Sequence, residues 1–137
     1  MLIPFWIQRA DLSFEDYAAV DYKKAQSALE KVDWHTEKRR QTELKSAKKE
    51  NCDPGIGFVA DDDRVLRICP DGEGNAYFHY HYPRRFMILG LIPLKFLRTA
   101  SRKRTGELDL PELIHRFFLN DHDWLIAKAK GSLRDND

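Results

Sequence analysis

Residues 53–83 read DPGIGFVADDDRVLRICPDGEGNAYFHYHYP, and this stretch decides the fold class. Its alternation predicts strands over Gly55–Ala60, Arg64–Cys69 and Asn75–Tyr82, with turns at Asp61–Asp63 and Pro70–Gly74. Gly, Asp and Pro at the breaks supply the dihedrals of tight turns, and the runs between them are rich in β-branched and aromatic residues. The expected fold is α+β, an antiparallel β meander packed against N-terminal and C-terminal helices. All 137 residues are expected to form a single domain, long enough to build a core.

Outward from the meander the pattern changes. Leu2–Gln8 reads as an opening strand, and Ser13 with Asp16 three residues on reads as the cap of a short turn. Tyr22, Ala25, Leu29 and Val32 recur at helical spacing from Asp21 onward. Residues 36–50 are almost wholly polar, so a second helix there is expected to be mostly exposed, with Trp34, Leu44 and Ala47 as a narrow stripe. Pro54 ends it, because the residue before a proline avoids the α region. On the other side, Pro83 demands an edge, a bulge or a turn. Ile92–Thr99 reads as another strand and residues 100–106 as a basic loop. Leu110, Leu113, Ile114, Phe117 and Phe118 describe an amphipathic helix with Asp109 as its cap, and Trp124, Leu125 and Ala129 a short last one, before a frayed tail from Gly131.

Composition narrows the function classes. Net charge is +1, which disfavours a dedicated nucleic-acid binder. The balance conceals an asymmetry. Residues 51–83 hold six acids and two bases, a net of −4, whereas residues 84–104 hold seven bases and no acid. Cys52 and Cys69 are too few for a disulfide framework, and a reduced pair is expected. The apolar N-terminus lacks a basic flank and a small-residue cleavage site, and the run Phe86–Leu97 is too short to span a bilayer. A cytoplasmic protein with no membrane association is the expectation.

No catalytic motif stands out. His79 and His81 lie two apart on one strand, so they share a face with Tyr77, while Phe78, Tyr80 and Tyr82 take the other. A metal site needs a third ligand, which Asp71, Glu73 or His115 would supply only through folding. Neither metal nor cofactor is expected. Gly55 and Gly57 lack the third glycine and the helix of a dinucleotide site, and mark a close backbone approach under the helix carrying Trp34. Asp61–Asp63 read as a solvated turn, since three adjacent carboxylates cannot converge on one ion.

The segments ALEKVDW (Ala28–Trp34), DPGIGFVADDDRVLRICPDG (Asp53–Gly72), YFHYHYP (Tyr77–Pro83) and ELIHRFFLNDHDWL (Glu112–Leu125) follow one another in an order that resembles the immunity proteins of bacterial polymorphic and contact-dependent toxin systems. The resemblance implies a protein, not an enzyme, that binds a cognate toxin and neutralises it by occlusion. It carries over no defined contact residues. Charge supplies two sets of them. Asp61, Asp62, Asp63, Asp71 and Glu73, near Tyr80 and Tyr82, would meet a basic toxin, and Arg84, Arg85 and Arg102–Arg104 an acidic one. Two other classes stay open: a metal-dependent enzyme using His79 and His81, and a nucleic-acid-associated regulator using residues 84–104.

Overall fold

The computed structural model describes residues 1–74, 76–88, 92–102 and 110–129, with residues 84–88 and 92–102 described by their backbone alone. The chain runs β1 (Ile3–Gln8), β2 (Phe14–Val20), α1 (Tyr22–Lys31), α2 (Trp34–Ser46), β3 (Gly55–Val59), β4 (Val65–Pro70), β5 (Ala76–Ile88), β6 (Ile92–Arg102), α3 (Leu110–Phe118) and α4 (His122–Ala129). All six strands form one antiparallel sheet in the order β2-β1-β3-β4-β5-β6. The fold is α+β. The predicted meander is its β3–β4–β5 core, and β1 extends it on the β3 side.

Alternation along the strands sorts residues to two faces. Ile3, Phe5, Ile7, Ile56, Phe58, Leu66, Ile68, Phe78, Tyr80 and Tyr82 form one face and are buried in a common cluster. The register aligns them in rows, such as Phe5 with Phe58, Phe58 with Leu66 and Leu66 with Tyr80. Ala25 and Leu29 of α1, Leu113, Ile114, Phe117 and Phe118 of α3, and Leu125 and Ala129 of α4 close the cluster from above. The α3 face is the one its spacing predicts. Asn120, at φ 58°, turns the chain between α3 and α4.

Capping explains where α1 and α2 begin. The Asp21 carboxylate accepts from the Lys24 amide at 2.9 Å, and Asp33 from Thr36 at 3.1 Å. Val32, extended at ψ 134°, separates the two helices.

Four expectations are corrected. Phe14–Val20 is a strand rather than a capped turn. Phe14–Ala19 are exposed and show no alternation, and the ladder with β1, bulged between Tyr17 and Val20, holds them extended. The turn before it is organised by Asp11, which accepts from the Ser13 amide at 3.1 Å, not by Ser13 as a cap. In α2 the buried residues are Trp34, Glu37 and Gln41, whereas Leu44 is only half-buried and Ala47 is exposed. Finally, β6 extends to Arg102, past the predicted start of the basic loop. At Pro83 β5 continues without a turn. Its ladder with β4 stops at His81, so Pro83 sits where β5 has a partner on one side only. Residues 103–109, with the Asp109 cap, and the tail from Gly131 lie outside the described residues. Among the described residues no helix is long and apolar enough to cross a membrane.

Candidate functional site on the open face of the sheet

Among the described residues, the second face of the sheet contributes no side chain to the helix-covered core. One row crosses four strands in register: Trp6 of β1, Gly57 of β3, Arg67 of β4 and His79 of β5. Trp6 lies flat over Gly57. A Cβ at Gly57 would come within 2.2 Å of the indole. Glycine is required there because the ring occupies the volume a side chain would fill. The close approach expected at this glycine is real, but the ring comes from Trp6 on the neighbouring strand rather than from the helix of Trp34.

Tyr77, His79 and His81 share this face along β5. Tyr77 meets His79 edge-on at 5.2 Å, and His79 is stacked near His81 at 6.1 Å between centroids. All three rings are half-buried, as are Trp6 and Arg67. Burial, with Arg67 adding to it, holds both imidazoles below their ordinary value of 6.5. They are therefore neutral at pH 7. Among the described residues no group of three or more His, Cys, Asp and Glu is placed to hold a metal ion.

At the end of this face Asp53 gathers a polar node that ties α2 to the sheet. Its carboxylate accepts from the Tyr77 hydroxyl, from Gln41 Nε2 at 2.8 Å and from Lys38 Nζ at 3.5 Å. Arg67 donates to its backbone oxygen at 2.6 Å. Partial burial alone would raise the Asp53 carboxyl. The Tyr77 and Gln41 hydrogen bonds and the Lys38 charge outweigh it and hold the group at about 2. Tyr77 moves the opposite way, through burial first and the neighbouring carboxylate second. Cys69 sits beside Tyr77 in the β4–β5 ladder, and burial pushes its thiol up, against a smaller pull from Arg67. A protonated, buried thiol is a poor nucleophile. Cys52 and Cys69 are both free thiols.

The contact residues expected from charge are dispersed. Asp61–Asp63 join β3 to β4, whereas Asp71 and Glu73 join β4 to β5, so the two turns lie at opposite ends of β4. Six residues of strand separate them by about 20 Å. Asp62 is engaged within its own turn, accepting from Arg64 Nε at 2.7 Å. Tyr80 is fully buried and Tyr82 nearly so. The Tyr80 hydroxyl lies 2.7 Å from His122 Nδ1, and its ring is edge-on to Phe117. This corrects their assignment as contact residues, since both face the core. Arg84 and Arg85 pair through the backbone with Phe96 and Lys95, and their side chains lie outside the described residues, as do Lys103 and Arg104 altogether.

The fold thus assembles a surface of planar groups that no local spacing announces: Trp6, Arg67, Tyr77, His79 and His81. The same-face pairing of Tyr77 with both histidines is readable along one strand. Trp6 and Arg67 join them only through register, and the lone signal for Trp6 is the otherwise unexplained Gly57. Comparison with protein-family models, with curated proteins and with solved structures finds no match for this chain.

Proposed function

We propose that the protein is an immunity protein that binds a cognate toxin domain and blocks it by occlusion, with the open face of the sheet as its contact surface. One observation carries this reading: Trp6 of β1, Arg67 of β4, and Tyr77 and His79 of β5 stand half-exposed on one face of the sheet, opposite the helix-covered core. Trp, Tyr and Arg dominate the energy of protein interfaces. Held by a sheet, they lose little conformational freedom on binding. Occlusion needs such a surface and no reacting group, which fits the raised Cys69 thiol and the neutral histidines.

The test is rescue of growth on co-expression with the toxin encoded beside this gene, together with the affinity of the purified pair. Wild-type protein should rescue. Trp6→Ala and His79→Glu, checked for an unchanged fold by circular dichroism, should each weaken binding by roughly thirtyfold or more, the effect of losing a hot-spot residue. Cells that die as readily with the wild-type protein as without it would exclude immunity. Full rescue and unchanged affinity in both variants would keep immunity but move the contact surface elsewhere.

A further inference from the structure

Between α1 and the β1–β2 side of the sheet lies a cleft of about 350 Å³. Phe5 and Ile7 of β1 and Tyr17 of β2 line it from the sheet, and Ala28 and Val32 from the helix. None of these five side chains carries a charge. The Tyr17 ring stacks on Phe5 with centroids 4.7 Å apart and planes 6° from parallel, and its hydroxyl donates to Glu15. The aromatic part of the lining is therefore held at both ends.

Four charged residues complete the lining, and they are not equivalent: Arg9, Lys24, Lys31 and Asp33. Asp33 is engaged as the cap of α2, accepting from the Thr36 amide at 3.1 Å and the Thr36 hydroxyl at 2.8 Å. Arg9 is matched by Glu15 at 3.2 Å and Glu37 at 3.8 Å. Lys24 and Lys31 differ. Both are exposed, and among the described residues neither is in an ion pair. With Ala28 between them they occupy one face of α1, at the four- and three-residue spacing of a helical row. Two turns, about 10 Å, separate their backbones. Two unmatched cations thus stand along one wall of an apolar, partly aromatic cleft.

We propose that this cleft binds a small organic anion, an aromatic ring system carrying a carboxylate or sulfonate. The rings lie against Tyr17, Ile7 and Val32, and the anionic group meets Lys24 and Lys31 at the rim. Small-molecule sites typically enclose about 300–1,000 Å³, with an apolar lining and a few polar groups that fix orientation. This cleft has that size and that division. Phe5 and Tyr17 favour a flat aromatic body, because ring–ring contact adds to the gain from buried area. The charge of the ligand stays at the exposed rim, where the lysines attract it without the cost of burying an ion. Phe5 and Ile7 face away from Trp6 on β1, so the site is independent of the open face and of the immunity reading.

The test is titration of the full chain with anilinonaphthalene sulfonate, an aromatic sulfonate, read by its fluorescence and by amide shifts in NMR. One saturable site is expected, with shifts gathered on β1, β2 and α1. Lys24→Glu with Lys31→Glu, both at exposed positions, should leave circular dichroism unchanged and weaken the sulfonate by about tenfold or more. The uncharged phenylnaphthylamine should lose less than about twofold in that variant, since it offers the lysines no charge. Lys23→Glu with Lys45→Glu makes the same charge change at exposed positions outside the cleft, and should also cost less than about twofold. Ala28→Leu, which fills the wall without changing charge, should weaken both probes. Absence of saturable binding overturns the proposal, as do equal losses in the two paired lysine variants or shifts gathered elsewhere on the molecule.

Discussion

Gly57 and Trp6 divide one volume between two strands. A methyl at Gly57 would meet the indole at 2.2 Å, so Gly57→Ala must displace the ring or bend the strand. We expect a loss of about 1–3 kcal/mol by chemical denaturation, the usual size of an overpacking penalty. In a Trp6→Ala background most of that loss should vanish, and strict additivity of the two substitutions would show that the ring does not lie there. Asp53 makes a second prediction at this scale. Its carboxyl titrates at about 2 in the folded protein against an ordinary 3.8. A carboxyl depressed on folding stabilises above its unfolded value, and that contribution disappears as pH falls from about 4 towards 2. Tyr77→Phe removes one of the hydrogen bonds responsible, so an NMR titration should find the Asp53 carboxyl moved up. An unmoved titration would show that the hydroxyl does not hold it. Pro54 marks the end of a helical segment in the sequence, but nothing local shows that Asp53 beside it is a junction. Its partners Gln41 and Tyr77 lie 12 and 24 residues away.

Among the elements, α3 was the most legible. Four buried residues at helical spacing, Leu113, Ile114, Phe117 and Phe118, define its face and meet the sheet as that spacing requires. Phe117→Ala should cost about 3–5 kcal/mol, because the ring is fully buried against Tyr80 and Phe118. An unchanged denaturation midpoint would contradict this packing. The second helix shows the opposite case. After Trp34, which is buried in the core, its sequence is almost wholly polar, so no apolar stripe reveals what the rest of it buries. Past Trp34 it is held by polar contacts: Glu37 accepts from the Ala10 amide at 3.2 Å and faces Arg40 at 3.1 Å, while Gln41 reaches Asp53. Glu37→Ala should therefore cost about 1–3 kcal/mol, as the buried Ala10 amide loses its acceptor. A loss within the few tenths typical of a surface site would mean that α2 does not anchor the end of β1. The edge strand β2 escaped sequence reading for a related reason: Phe14–Ala19 are exposed, so burial imposes no period-two signal on them.

Across the whole molecule, helices cover one side of the sheet, and the planar groups that the other side presents include two histidines. Burial and Arg67 keep both below 6.5 when folded. The unfolded chain then takes up protons first as pH falls, so stability is present above 6.5 and declines as pH drops through it. Replacing both with Gln should flatten that slope, measured as denaturation midpoints between pH 7 and pH 5, and an unaltered slope would assign it to other groups. Charge also behaves differently at this scale than along the chain. The acidic segment looked like one patch in sequence, but an antiparallel strand carries its two flanking turns to opposite ends, which splits Asp61–Asp63 from Asp71 and Glu73. By itself the sequence determined the α+β class, the meander, the apolar faces of α1 and α3, and the division of β5 between Phe78, Tyr80 and Tyr82 on one side and Tyr77, His79 and His81 on the other. Each follows from periodicity within one element and the hydrophobic burial that it directs. Only the tertiary structure decided which of those faces the helices cover, that Tyr80 and Tyr82 are core residues, and that Trp6, Arg67 and His79 share a row. Those depend on register between strands far apart in sequence, which long-range pairing sets and no local pattern encodes.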